Sequence, residues 1–97
     1  MAKGYMVAHL DVHDPAGFEK YRERVVATVK QYDGSYLVRG GAMDTLEGDA
    51  LPPRTVIIEF PSVEQAKAWY NSAEYQDIIG LRLSAATGSA QIVEGIE

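Results

Sequence analysis

Residues 4–12, "GYMVAHLDV", alternate: Met6, Ala8, Leu10 and Val12 fall on one side, and Tyr5, Val7, His9 and Asp11 on the other. Such a period of two predicts a strand with one face in a core. The period then changes. Phe18, Tyr21, Val25, Val29 and Tyr32 recur at intervals of three, four, four and three, the stripe of an amphipathic helix. Asp14 stands where an N-cap belongs, and Pro15 takes the first helical position, where its missing N–H costs nothing. Gly34 is placed to end the helix in a left-handed conformation.

"SYLVRGG" reads as a second short strand, with Tyr36 and Val38 on one face and Leu37 and Arg39 on the other. Gly40 and Gly41 allow a bend or bulge where it ends. Residues 42–54 lose periodicity and gather Asp44, Glu47, Gly48, Asp49, Pro52 and Pro53, which predicts a solvent-facing hairpin loop. "TVIIEF", almost entirely β-branched or aromatic, is the clearest strand in the chain. After Pro61, Ser62 and Gln65 form the S-x-x-Q version of a capping box for a helix carrying Val63, Ala66, Trp69 and Tyr70. Ser72 can cap a further short helix over 74–83 with Tyr75, Ile78, Ile79 and Arg82 on it. "SAATGS" reads as a loop and "AQIVEGI" as the last strand.

The order β-α-β-β-α-β within one domain spanning 1–97 implies an α+β, ferredoxin-like fold, a four-stranded antiparallel sheet with helices on a single face. The other face is left open. With Met6, Ala8, Leu10, Tyr36, Val38, Val56, Ile58 and Phe60 toward the helices, it carries Tyr5, Val7, His9, Leu37, Arg39, Ile57 and Glu59. That mixture is too apolar for a wet surface, and pairing two such faces in a homodimer buries it.

Composition narrows the chemistry. Fourteen acids stand against nine Lys and Arg, a formal charge of −5 with the cations scattered, so nucleic acid is not an expected partner. No apolar run approaches the roughly 20 residues that span a bilayer, "MAKGYMV" lacks the apolar segment of a signal peptide, and a cytoplasmic location is expected. The absence of cysteine removes disulfides, thiolate nucleophiles, iron–sulfur clusters and the usual structural zinc sites. There is no Walker loop, G-x-G-x-x-G element or Ser-His-Asp order, and Ser35, Ser62 and Ser72 sit at caps or turns. The Arg-Gly-Gly of "VRGGAMDTLEG" has neither the charge cluster of an RNA-binding repeat nor a following helix to cradle an anion.

Tyr5, the helical Tyr21, "GSYLVRGG", "LEG", "PPRTVIIEFPS", "AKAWYNSAEYQ", Arg82 and the closing "EG" together resemble a family catalogued as domain of unknown function 1330, in the dimeric α/β-barrel superfamily. The resemblance covers nearly the whole chain. It implies two ferredoxin-like subunits that join their sheets into a barrel with the helices outside. Relatives of that barrel include cofactor-independent monooxygenases, small-lactone isomerases and haem enzymes, so the fold does not select a chemistry. No cofactor is expected, since neither His9 nor His13 falls on a helix beside a large cavity as the haem branch requires.

Three residues of the predicted open face could carry catalysis: His9 as general base, Arg39 as holder of a substrate anion, and Glu59 as the carboxylate beside them. The competing reading is an Arg39–Glu59 ion pair that sets the register of a dimer. His9, Asp11 and His13 do not make a metal site, because alternate residues of a strand lie roughly 6.6 Å apart. Tyr5, Trp69, Tyr70, Tyr75, Arg54 and Arg82 are the candidate ligand-binding residues. The aromatics could line a pocket between helix and sheet, and the arginines could hold a carboxylate or phosphate. Against this, aromatics at helical spacing belong in cores, and surface arginines pair with acids. Two functions follow: a homodimer that binds a small organic molecule, with cofactor-independent proton transfer or oxidation if it is an enzyme, or a non-catalytic accessory or regulatory dimer.

Overall fold

The computed structural model describes residues 2–97. Its elements are β1 (Gly4–Val12), α1 (Pro15–Gln31), β2 (Ser35–Arg39), β3 (Arg54–Phe60), α2 (Val63–Tyr70), α3 (Ala73–Gln76), α4 (Ile79–Ala85) and β4 (Ala86–Glu94). The strands form one antiparallel sheet in the order β2-β3-β1-β4 with the helices on one face, the ferredoxin-like arrangement that the periodicity predicts. Among the described residues no helix is long and apolar enough to cross a membrane.

The caps explain where the helices begin. Asp14 accepts the Gly17 N–H at 3.1 Å with Pro15 opening α1, Ser62 accepts from Gln65 N–H at 3.1 Å, and Ser72 accepts from Tyr75 N–H at 3.1 Å. The predicted capping box is only half formed, because the Gln65 amide reaches instead to the carbonyl of Tyr32 at 3.1 Å and ties α2 to the end of α1. α1 ends at Tyr32, and the left-handed residue is Asp33 (φ 62°), not Gly34. Gly34 is needed for a different reason: a Cβ there would lie 2.6 Å from Val29 and 2.7 Å from Phe60.

The core lies between helices and sheet. Phe60, Trp69 and Tyr75 are fully buried, with the Trp69 and Tyr75 rings 4.2 Å apart. Trp69 Nε1 donates to Thr28 Oγ1 at 3.0 Å, and that hydroxyl donates to the Val25 carbonyl at 2.7 Å, so this buried polar chain is satisfied. The expected helix over 74–83 divides into α3 and α4. The expected "SAATGS" loop is the end of α4 and the start of β4, which pairs with β1 along its whole length from Ala86 opposite Val12.

One irregularity reorders the site. β2 pairs Tyr36 with Ile58, but Val38 with Ile57 and Arg39 with Val56, so Leu37 is an extra residue in a β-bulge. Side chains alternate along a strand, so one inserted residue exchanges the faces of everything beyond it. Val38, expected among the helix-facing residues, therefore shares the open face with Ile57, and Arg39, expected on the open face, turns to the helix side.

Candidate functional site

With Arg39 moved, the expected His9–Arg39–Glu59 constellation does not assemble. His9 stands opposite Thr55 and Glu59 opposite Tyr5, four residues along β1 and roughly 13 Å apart. The two members of that constellation left on the open face are each held by a neighbour. Glu59 accepts from Lys3 Nζ at 3.2 Å and from the Tyr5 hydroxyl at 3.1 Å, and His9 Nδ1 lies 3.1 Å from Thr55 Oγ1. The hydrogen bond to the Glu59 carboxylate is the main reason the Tyr5 phenol is raised above its ordinary range.

On the other side of the sheet the cations gather. Arg22 from α1, Arg39 from β2, Arg54 from β3 and Arg82 from α4 line one cleft between helices and sheet, together with Tyr21 and Tyr36. Its floor is apolar, made by residues such as Ala8 and Val56. Arg82 occupies the buried stripe of α4, between Ile78 and Ala85, and is only 7% exposed. The expectation that Arg54 and Arg82 pair with surface acids fails. Among the described residues neither has a carboxylate partner, and Arg22 pairs with Glu19 at 3.1 Å. Arg54 and Arg39 instead stack on rings, 5.1 Å above Phe18 and 4.9 Å above Tyr36. The buried Nε atoms of Arg22, Arg54 and Arg82 find no acceptor among the described residues.

Gly40 makes room for this cluster. It has φ 74°, its N–H donates to the Thr55 carbonyl at 2.9 Å, and a Cβ there would collide with the Arg54 guanidinium. Burial lowers the Arg54 pKa from its ordinary value, and the neighbouring Arg22 and Arg39 charges lower it further. Tyr21 and Tyr75 share a hydrogen bond of 2.9 Å beside the cleft, and burial raises both phenols. The cleft has a volume of about 20 Å³, room for one water molecule.

Of the expected ligand-binding residues, the cleft brings together Arg54 and Arg82, and it adds Arg39 from the expected catalytic set. Trp69 and Tyr75 are core residues with no exposure, Tyr70 is half-buried at the end of α2, and Tyr5 lies on the open face. Arg22 and Tyr21 were not in the expected set. Their signal is positional: Arg22 follows Phe18 by one helical turn and so flanks the buried stripe of α1.

The fold recurs in solved structures of low sequence identity, which share architecture alone. A protein of unknown function from Rhodopseudomonas palustris superposes with a TM-score of 0.74 at 14% identity, over 99% of this chain and 84% of that one. A putative antibiotic biosynthesis monooxygenase from Caulobacter crescentus has a TM-score of 0.67 at 19% identity, over 99% and 92%. SnoaB, a cofactor-independent oxygenase from Streptomyces nogalater, has a TM-score of 0.63 at 13% identity, over 100% and 96%. No curated protein matches the sequence. The family described as Domain of unknown function (DUF1330) matches residues 3–96, and the chain belongs to that family.

Proposed function

We propose that this protein binds a small organic anion in the arginine cleft. The observation that carries the reading is Arg82, a residue only 7% exposed whose buried Nε has no acceptor and whose side chain has no carboxylate or carbonyl partner among the described residues. A buried charge without a partner is costly to the fold, and a bound anion removes that cost. Arg54 and Arg39, likewise without carboxylates, supply further charge-assisted donors, and the apolar floor suits an organic body. Because the cleft is narrow, this reading requires the long arginine side chains that line it to move outward when the ligand enters.

Binding is favoured over acid–base catalysis because the described residues lining the cleft include no carboxylate or imidazole to take a proton. The same reading includes a homodimer joined through the open sheet face, where Val7, Val38 and Ile57 form an apolar strip flanked by the exposed Leu37 and Val93.

The test is thermal denaturation with a panel of carboxylates, alongside native mass spectrometry of the purified protein. At least one organic anion is expected to raise the melting temperature of the wild type, and Arg82→Met is expected to lose that response. A panel without effect, together with a protein carrying no retained anion, would sink the reading. For the dimer, light scattering across a dilution series is expected to show dissociation in Ile57→Lys and not in Arg39→Ala.

A further inference from the structure

The arginine cleft is not the only hollow that Arg82 lines. A groove of about 310 Å³ lies over β1 and β4 and shares Arg82 and Leu10 with the cleft. β4 pairs with β1 so that Ala86 stands opposite Val12, Gly88 opposite Leu10 and Ala90 opposite Ala8. Directly opposed residues share a face of the sheet, and Ala8 and Leu10 belong to the core beneath the helices, so Ala86, Gly88 and Ala90 face the helices too. None of the three has a side chain longer than a methyl group. Gly88 and Ala90 are nevertheless exposed, so no helix covers this stretch of the edge strand. Alternation turns the side chains of Thr87 and Ser89 to the open face, while Leu83 of α4, 61% exposed, forms a wall. Among the described residues Arg82 is the one charge lining this groove. Beyond it Ala90 also lines a second hollow, of about 410 Å³, with Met6, Lys67, Tyr70 and Ile92. From residue 86 to residue 92 the strand advances roughly 20 Å.

We infer that the anion is the carboxylate of an unbranched aliphatic acid, with its head on Arg82 and its hydrocarbon chain laid along the helix-facing side of β4. This rests on the anion-binding reading and deepens it: the narrow cleft has to admit only the head, and the body takes the open groove. An apolar cavity of roughly 150 Å³ takes up a benzene molecule, so a groove of about 310 Å³ has room for a chain. One buried cation without a partner calls for one carboxylate, which a guanidinium can hold in a two-pronged contact. A floor of methyl groups and a glycine, running along a strand, suits a chain and offers a polar body no side-chain hydrogen bond. Where the first hollow ends at Ala90, the second lets a longer chain continue toward Ile92 and Met6.

Calorimetric titration of the full chain with hexanoate, decanoate, benzoate and decanol, each below its aggregation concentration, tests this. A chain in an open groove buries about half of each methylene, worth about twofold in affinity, so decanoate is expected to bind about tenfold more tightly than hexanoate. Decanol, with the same chain and no charge, is expected to bind more weakly than decanoate. Arg82→Gln is expected to bring decanoate down to the affinity of decanol, with folding checked by circular dichroism. Ala90→Gln, at an exposed position between the two hollows, is expected to bring decanoate down to the affinity of hexanoate, and it keeps the test intact should Arg82→Gln misfold. Equal affinity for hexanoate and decanoate, benzoate or decanol bound as tightly as decanoate, or decanoate binding indifferent to Ala90→Gln overturns the inference and leaves anion binding standing. No binding by any of the three acids removes the anion-binding reading and this inference with it.

Discussion

The two sides of the sheet treat their polar groups in opposite ways. On the open side Glu59 is shared by Lys3 and Tyr5, and His9 is seated against Thr55. On the helix side three arginines bury an Nε with no acceptor among the described residues, and only Arg22 has a carboxylate. Native proteins rarely leave buried polar groups unmatched, so each exception calls for an explanation. The contrast teaches that polarity on a sheet face is not the mark of a site. A polar group whose bonds are complete within the chain holds structure or assembly, and one whose bonds are incomplete is placed for something else.

The largest effect expected from this contrast is at high pH. Burial raises the Tyr21 and Tyr75 phenols, whereas in the unfolded chain they ionise near the ordinary value of about 10. Above that pH the unfolded chain loses protons that the native state keeps. Stability contributed by the pair is therefore complete below about pH 10 and declines as the pH rises beyond it toward the raised native values. Each tyrosine contributes a fall of about 1.4 kcal/mol per pH unit. Denaturant titrations across this range should show a shallower decline in Tyr21→Phe. Tyr5→Phe, on the open side, should flatten the decline less, because the Tyr5 phenol is raised chiefly by its bond to Glu59 and not by deep burial. Equal slopes in all three proteins would mean that the helix side is as hydrated as the open one.

Next in size is Arg82→Met. A methionine fills much of the space of the arginine stem and carries no charge. Removing an uncompensated buried cation is expected to raise unfolding stability by about 1 kcal/mol or more in urea titration, even as the response to anions disappears. A loss of stability would show that Arg82 is a structural member of the core, and the distinction between the two sides would collapse. Glu59→Gln should do the reverse on a smaller scale, costing about 0.5–1 kcal/mol because its contacts are partly exposed and leaving anion affinity unchanged. Tyr5 in that variant should titrate closer to the ordinary phenol range, as followed by ultraviolet absorbance.

The fold was legible because its signals are local. Alternation in β1, the stripe of α1 and the side-chain caps Asp14, Ser62 and Ser72 each depend on residues a few positions apart, and each stands in the structure as expected. The site was half legible. Arg54 and Arg82 could be picked out as cations, but Ala85, which completes the buried stripe around Arg82, read as loop, so the burial of Arg82 could not be. Nor could the face that Arg39 takes. That depends on a single extra residue, Leu37, and a bulge is decided by the partner strand, not by the strand's own alternation. The glycines drew attention to the end of β2, but the bulge lies before them, and Gly40 serves instead to let the chain pass over Arg54.

The smallest effect is the most discriminating. His9 is the imidazole that alternation places on the open face, and an imidazole among cations and tyrosines would ordinarily attract a catalytic role. Its ring is half-buried and its Nδ1 lies 3.1 Å from Thr55 Oγ1, on the opposite side of the sheet from every cleft arginine. An asparagine amide can make the same contact with the hydroxyl. His9→Asn is therefore expected to change unfolding stability by no more than about 0.5 kcal/mol and to leave anion affinity where it was, measured by denaturant titration and calorimetry on the same preparation. If His9→Asn instead weakened anion binding by about tenfold, a loss of about 1.4 kcal/mol, the ligand would belong to the open face and the cleft arginines would need another explanation.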